Sequence, residues 1–283
     1  HRNHALEELM KSVLIARHGA YGDMIHCTHL PRLFKENGYN VVGFSTGKKG
    51  LNILKDNPFI NKVHFCEIND FTRTLGINYF EKRLSIIGRQ YDKIINLNQT
   101  IEVAVLPGQY QAEFFLDQKT RDRIGGENYY DVTTRAAGFP NLMGKYRGEL
   151  YFSKSEEETV AKYMTKHEGK FKVLINLSGS SPHKAFVQAK EVIGMIRSKY
   201  PEAVVFTTGD DLSKGIDSKE DGVIHLTGKM PFRQVLCMCK KMNCVIGCES
   251  GMMVGSNCLG TPTIQLMTAA SLRNHCQYAE NDY

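Results

Sequence analysis

Short apolar runs that alternate with helical patterns constrain the fold of this 283-residue chain more than any other feature. The β-rich runs that predict strands are 12–17, 40–45, 62–66 and 91–97 in the first half, and 172–177, 203–207, 223–226, 244–246 and 263–266 in the second. Helical stretches separate most of them. Strands that alternate with helices form parallel sheets covered on both faces, so we expect an α/β fold with two such sheets.

The length and the distribution of turn residues predict two domains. A chain of 283 residues is long for one core, and residues 141–153 combine turn residues with few apolar ones, as a linker does. We therefore expect domains at 1–150 and 151–283. Two parallel sheets joined by a short linker leave a cleft between the ends of their strands, and that cleft is the expected ligand site. Ser155, followed by three glutamates, predicts the start of a helix just after the linker.

Residues 244–266 form the most informative single stretch. An apolar run is followed by a turn that ends in Glu249-Ser250-Gly251, a helix of small residues, a stop at Gly260-Thr261-Pro262, and another apolar run. The first N–H groups of such a helix are free to bind an anion. An ordinary strand–turn–helix connection also uses Gly and Ser, so the motif alone leaves both interpretations open.

Composition excludes several classes of protein. With 42% hydrophobic and 23% charged residues the chain is globular, and no apolar run approaches the ~20 residues of a membrane span. The eight cysteines are scattered and lack paired C-x-x-C motifs, which predicts buried free thiols in a reducing, cytoplasmic compartment. The net charge of +6 suits an anionic substrate and also weak nucleic-acid binding.

The first half carries its own candidate residues. Asp23 stands where the N-cap of a helix belongs, Pro31 predicts a kink in that helix, and Gly38 predicts its end. Lys48 and Lys49 fall in the predicted loop after the second strand, at the end of the sheet where ligands of open α/β folds bind.

Three segments together resemble glycosyltransferase family 9, the ADP-heptose:lipopolysaccharide heptosyltransferase family. The first runs from His18 to His26 (HGAYGDMIH), the second from Asn176 to Lys184 (NLSGSSPHK), and the third from Glu249 to Pro262 resembles the family's D-S-G-x-x-H…L-G-T-P signature. Each motif is weak alone, but their order and separation match over nearly the whole chain.

The resemblance implies two Rossmann-like domains facing across a cleft, the GT-B fold. It also implies a metal-independent, inverting transfer from a nucleotide-diphosphate sugar held by the C-terminal domain, with an ADP-sugar favoured and no cofactor. Asp23 matches the family's general base. The positions that match its donor site are Ser180, Ser181, Lys184, Met230, Glu249, Ser250 and Gly251.

Two positions depart from the family's signature. Glu249 replaces its aspartate and Val254 its histidine. The family uses those two side chains to bind the donor, so the two changes leave open which sugar nucleotide this chain binds. The same two changes leave a second hypothesis, in which the chain is a nucleotide-sugar binding module without catalytic activity.

Other polar pairs are predicted not to bind a metal. Asp210 and Asp211 are adjacent in a loop and are expected to face solvent. His26 and His29 share a helix face, but no third ligand is evident, so we expect them to line the cleft or the core.

The acceptor is expected to meet the N-terminal domain near Arg17, His18, Lys48 and Lys49. This basic wall predicts an anionic acceptor, either a glycan such as lipopolysaccharide core or, as the alternative, modified DNA bases. A net charge of +6 is small for a protein that binds a polyanion such as DNA, so the glycan is the favoured acceptor.

Overall fold

The computed structural model describes residues 11–66, 73–98, 119, 126–217 and 222–267. The chain divides into two compact units. The first comprises His1–Ile124 and Tyr129–Gly148, and the second comprises Gly125–Asn128 and Glu149–Tyr283. Each unit contains one parallel sheet, so the predicted α/β class with two parallel sheets is confirmed.

The sheet of the first unit has the strand order β3-β2-β1-β4. Its strands are β1 (Ser12–Ala16), β2 (Val41–Thr46), β3 (Lys62–Phe65) and β4 (Lys93–Asn96). β1 is central, and Val13, Leu14 and Ile15 are completely buried. An unbroken apolar run of this kind is typical of a strand covered on both faces, which is why the sequence signal for β1 is strong.

The helices of the first unit, in the described residues, are α1 (Tyr21–Ile25), α2 (Leu30–Glu36), α3 (Lys48–Leu54), α4 (Arg73–Gly88) and α5 (Tyr129–Ala136). The prediction of one kinked helix across Pro31 is wrong, because a turn separates α1 from α2. Pro31 lies in the first turn of α2, where a missing N–H costs no hydrogen bond. Gly38 follows α2 with a φ of +86°, which confirms its role as the C-terminal glycine.

The sheet of the second unit has the order β7-β6-β5-β8-β9, again with parallel neighbours. The strands are β5 (Lys172–Asn176), β6 (Val204–Thr208), β7 (Val223–His225), β8 (Cys244–Cys248) and β9 (Thr263–Leu266). Leu174, Ile175, Val205 and Val245 form its fully buried centre. The strand ends that follow β5, β6, β7 and β8 therefore lie along one edge of the sheet.

The helices of the second unit, in the described residues, are α6 (Lys154–Met164), α7 (Ala189–Lys199), α8 (Phe232–Cys239) and α9 (Gly251–Cys258). Ser153, not the predicted Ser155, caps α6. Its Oγ accepts a hydrogen bond from the Glu156 N–H at 3.3 Å, and the Glu156 carboxylate accepts one from the Ser153 N–H at 2.8 Å. This reciprocal pair is a capping box.

A buried ion pair joins α6 to α8. Glu156 Oε1 lies 2.6 Å from Arg233 Nε, and Oε2 lies 3.2 Å from Nη2. Arg233 Nη2 also donates to the Tyr151 carbonyl, and the guanidinium stands 5.2 Å from the centre of the Phe152 ring. Burial alone would raise the pKa of the Glu156 carboxyl, but the hydrogen bonds from Arg233 and Ser153 outweigh it and lower the pKa to about 2.

The cysteines of the described residues are free thiols, as predicted. Five of these seven are buried, and burial raises the pKa of Cys239 to about 12, so this thiol is inert at neutral pH. Within the described ranges, no helix has both the length and the apolar content needed to cross a membrane.

Candidate functional site

An ion pair stands at the edge of the second sheet where β5 and β8 end. Lys184 Nζ lies 3.0 Å from Glu249 Oε1. The Glu249 side chain is 2% exposed, whereas that of Lys184 is 18% exposed. The lysine is therefore the partner that remains accessible to an anion from solvent, while the carboxylate lies behind it.

Two glycines make this close arrangement possible. A Cβ on Gly179 would lie 2.6 Å from the Cβ of Lys184, and one on Gly247 would lie 2.8 Å from the Asn176 carbonyl oxygen. Both distances are shorter than real carbon contacts, so the loop after β5 can approach β8 and Lys184 only without these side chains. Packing at the site thus explains Gly179 and Gly247.

The N-terminus of α9 adjoins the same edge. Ser250 is its N-cap residue, but its side chain does not cap the helix. Instead, Ser250 Oγ accepts a hydrogen bond from Asn176 Nδ2 at 3.1 Å, and the same amide group donates to the Ser178 carbonyl at 2.6 Å. No acidic residue stands in the first turn of α9. The first amides of α9, beginning with Gly251, are therefore available to an anion.

The loop after β5 presents the two predicted serines. Ser180 is exposed and Ser181 is half-buried, with its Oγ 3.3 Å from His183 Nε2. The Lys184 turn follows as a short 3₁₀ helix, Pro182–Lys184. Hydroxyls, a lysine and helix amides thus lie on neighbouring segments, which is the donor set that binds a phosphate without a metal.

Met230 lines a cavity of about 520 Å³ beside the edge strand β7. The cavity is lined by Tyr163, Val223, Ile224, His225, Leu226, Lys229 and Met230. The turn that carries Met230 is linked to the loop after β6, because the Gly228 N–H donates to the Gly209 carbonyl at 3.3 Å. That loop is in turn linked to the loop after β5 by a hydrogen bond from the Asp210 N–H to Ser178 Oγ at 3.1 Å.

In the first unit, Asp23 is the third residue of α1 and not its N-cap, which is Ala20. Asp23 Oδ2 accepts a hydrogen bond from the Ala20 N–H at 2.7 Å, so the carboxylate still caps the helix. Oδ1 lies 3.5 Å from Arg17 Nη2, and 29% of the side chain is exposed. A Cβ on Gly19 would lie 2.6 Å from Oδ2, so the glycine gives this carboxylate its space.

Arg17, predicted to contact the acceptor, is completely buried behind Asp23. Its Nη1 donates to the Leu97 carbonyl at 3.0 Å, so the guanidinium holds Asp23 from a fixed position at the end of β4. This arrangement was not predictable from the sequence, since Leu97 lies 80 residues away from Arg17.

The other predicted acceptor residues differ in exposure. His18 is half-buried, and burial together with the nearby Arg17 charge lowers its pKa to about 4, so its ring is neutral at physiological pH. Lys48 and Lys49 are exposed. They form the first residues of α3, and the prediction that they lie in a loop is wrong.

The remaining polar candidates are structural. His29 Nε2 lies 2.8 Å from Thr134 Oγ1, and both His26 and His29 pack edge-on against the Tyr130 ring in the core. Asp210 is exposed, as predicted, and it also caps the 3₁₀ helix Asp211–Gly215 by accepting a hydrogen bond from the Ser213 N–H. Asp211 is exposed and pairs with Lys214 at 2.7 Å. Among the described residues, no group of three His, Cys, Asp or Glu side chains is placed to hold a metal.

Val254, at the signature position of a histidine, is buried in α9 with 1% exposure. Its apolar side chain packs in the core and offers nothing to a ligand. Asn176 opens the second motif but was assigned no role, although its side chain joins the ends of β5 and β8. The motifs missed His225 and Asp217, which lie eight positions apart. Asn176 was detectable as a polar residue that ends an apolar strand, the usual place for a site residue in this fold class.

Comparison with solved structures shows which known fold this pair of α/β units resembles. The structure of a glycosyl transferase family 9 protein from Veillonella parvula covers 95% of this chain and 85% of its own at a TM-score of 0.72 and 14% identity. The Escherichia coli ADP-heptose LPS heptosyltransferase II covers 94% and 87%, with a TM-score of 0.61 and 15% identity. The E. coli heptosyltransferase WaaC with ADP covers 94% and 90%, with a TM-score of 0.60 and 13% identity.

At such identities the likeness establishes the fold, and the resemblance to family 9 is confirmed at that level. No protein-family model matches the sequence, and no curated protein matches it by sequence either.

Proposed function

We propose that this protein is a metal-independent, inverting glycosyltransferase that moves a sugar from a nucleotide-diphosphate donor to an anionic acceptor. Residues 151–283 would bind the donor and residues 1–150 the acceptor. The observation that carries the proposal is the Lys184–Glu249 pair beside the uncapped N-terminus of α9, with Gly179 and Gly247 allowing the close approach. This is a phosphate site made of protein donors alone.

The donor's diphosphate is expected to take Lys184 as its counter-ion, together with the hydroxyls of Ser180 and Ser181 and the first amides of α9. These groups stabilise the negative charge that develops on the leaving nucleoside diphosphate. Because the set already contains a lysine and helix amides, the leaving group does not require a metal. Met230 would contact the nucleoside, and an ADP-sugar is the favoured donor, in line with the solved heptosyltransferase that carries ADP.

Asp23 is the proposed base. Its carboxylate takes the proton of an acceptor hydroxyl while that oxygen attacks the anomeric carbon. The bond from this carbon to the diphosphate oxygen breaks, and the nucleoside diphosphate leaves with the bonding electrons, which inverts the configuration. Arg17, buried at 3.5 Å from Oδ1, orients the carboxylate and is a positioning residue rather than an acceptor contact.

The acceptor is expected to be a glycan with acidic or phosphate groups, such as lipopolysaccharide core. The exposed Lys48 and Lys49 at the start of α3 and the neutral His18 support this, because two cations and one uncharged ring suit a small anion. The name of the E. coli heptosyltransferase II, which refers to lipopolysaccharide, points the same way.

The decisive experiment follows donor hydrolysis and sugar transfer with ADP-, UDP- and GDP-sugars. Asp23→Asn should lower turnover by ~10²–10⁴-fold with donor affinity nearly unchanged. Lys184→Ala should instead weaken nucleoside-diphosphate binding by ~1.5–3 kcal/mol, and activity should persist in EDTA. A chain that binds sugar nucleotides but turns over none would be a binding module, and full activity of Asp23→Asn would remove Asp23 from the mechanism.

A further inference from the structure

A histidine–aspartate pair borders the cavity beside β7. His225 is the last residue of β7, and its Nδ1 lies 2.9 Å from Asp217 Oδ1 and 3.2 Å from Thr207 Oγ1. The Asp217 side chain is only 8% exposed, whereas that of His225 is 23% exposed. The aspartate of the pair is thus buried, whereas part of the histidine ring is accessible to solvent.

The hydrogen bonds of the pair fix the tautomer of the ring. A carboxylate can only accept, so Nδ1 carries the proton that is donated to Asp217. In the neutral ring Nε2 is then a hydrogen-bond acceptor. Within the part of the chain that the structure describes, the His225 ring makes no other hydrogen bond, so Nε2 is available to a ligand in the cavity.

The position of the cavity relates it to the phosphate site. Glu249 follows β8, and β8, β5, β6 and β7 are successive neighbours in the sheet. Three steps between neighbouring strands amount to about 14 Å. A nucleoside diphosphate extends over about this length from its terminal phosphate to its base, so a ligand whose phosphates meet Lys184 can place its base near β7.

The walls of the cavity suit a flat, partly apolar group. Val223, Ile224, Leu226 and Met230 contribute aliphatic surface, and Tyr163 contributes a ring. A volume of about 520 Å³ is ample for a nucleobase. His225 and Lys229 supply the polar groups of the lining, and His225 adds a directional acceptor beside the aliphatic surface, which is how small-molecule sites set orientation.

We infer that His225, held by Asp217, is a specificity-determining residue that accepts a hydrogen bond from an amino-bearing nucleobase of the donor. The inference rests on the proposed donor site. Adenine offers its exocyclic amino group to such an acceptor. Uracil offers a single ring N–H between two carbonyl oxygens, which an acceptor repels. The pair therefore selects ADP-type over UDP-type donors.

The test is calorimetric titration of the full chain at pH 8 with ADP, UDP and inorganic pyrophosphate. The wild type should bind ADP more tightly than UDP. His225→Ala should weaken ADP binding about fivefold to tenfold, the effect of one lost hydrogen bond, and leave pyrophosphate binding unchanged. His167→Ala removes a histidine of the same unit that does not line the cavity, and it should change none of the three affinities.

Asp217→Asn provides a second test that does not depend on removing the ring. An amide no longer fixes the tautomer, so the preference for ADP over UDP should narrow while pyrophosphate binding persists. Equal ADP affinity in the wild type and His225→Ala, or an unchanged ADP-to-UDP ratio in Asp217→Asn, would overturn the inference. If pyrophosphate itself fails to bind, or binds equally well to Lys184→Ala, the proposed donor site fails, which is a separate result.

Discussion

The Glu156–Arg233 pair allows a quantitative test of what holds the second unit together. A carboxyl pKa lowered from 4.5 to about 2 corresponds to about 3 kcal/mol of stability at neutral pH. The folded-state pKa lies below the unfolded one, so this stability is fully present above pH 4.5 and is lost as the pH falls towards 2. Roughly half or less of it should remain at pH 3.

Glu156→Gln removes the charge and keeps the size of the side chain. We expect it to lower the free energy of unfolding by about 3 kcal/mol at pH 7, and the difference from wild type should shrink at pH 3. The matched control is Glu157→Gln, whose partner Lys240 lies at 2.8 Å with both side chains about half exposed. An exposed pair of this kind should contribute less than about 1 kcal/mol.

The assay is urea unfolding with a probe in the second unit. The chain contains no tryptophan, so Phe171→Trp, at an exposed ring, supplies a fluorescence signal in every background. The buried pair would not stabilise the unit as its geometry implies if Glu156→Gln lowered the free energy of unfolding by no more than Glu157→Gln does. The same would follow if Glu156→Gln lowered that free energy equally at pH 7 and pH 3.

Three further predictions concern the loop, the core and the acceptor. Gly179→Ala should displace Lys184 and weaken nucleoside-diphosphate binding about tenfold or more, whereas Gly194→Ala, in α7 with open space around its Cα, should keep the affinity and stabilise the helix by about 0.5–1 kcal/mol. Equal affinities in the two variants would contradict the packing argument. Burial, followed by the charge of Arg32, lowers the pKa of His29 to about 3, so the stability of the first unit should fall as the pH drops from 6.5 towards 3, and His29→Gln should flatten that fall in a melting-temperature series. If the melting temperatures of the wild type and His29→Gln fell in parallel with pH, His29 would not be the cause of the fall. Binding of the acceptor should depend on Lys48 and Lys49, and its affinity should fall only modestly as the salt concentration rises. A steep fall of log affinity against log salt concentration, by ~0.9 per phosphate contacted, would indicate DNA instead.

The sequence was sufficient for the strands because burial on both faces leaves an unmistakable apolar run. Val13 to Ile15 and Leu174 to Ile175 have no exposure, and both runs were predicted as strands. The ends of helices were harder to predict, because a cap depends on local geometry that several nearby residues can satisfy. Ser153 and Ser155 both precede Glu156 and Glu157, and only the hydrogen bonds distinguish them.

The placement of the candidate residues in the fold was predictable where those residues belong to one motif. Ser250 and Gly251 follow β8, as an anion-binding turn requires, and Lys184 follows the glycine loop after β5. That Lys184 contacts Glu249 was not predictable, because nothing in the spacing of 65 residues indicates that β5 and β8 are neighbours. His225 with Asp217 was missed for a related reason. The link depends on the ring's orientation at a strand end, which no pattern of residues specifies.

Pairing across 80 residues has a consequence for how the first unit folds. Ser12 contacts Asp92, Arg17 contacts Leu97, and the His18 N–H contacts Asn98, each over the same separation, because β1 pairs with β4. Closing a loop of this size lowers the entropy of the chain before the strand contacts can stabilise it, so such pairings form slowly. The surroundings of Asp23 are therefore completed only when β4 has docked. In refolding, formation of the Arg17–Asp23 contact should lag behind the appearance of helix, since α1 can form before the Leu97 carbonyl is in place to accept a hydrogen bond from the Arg17 guanidinium.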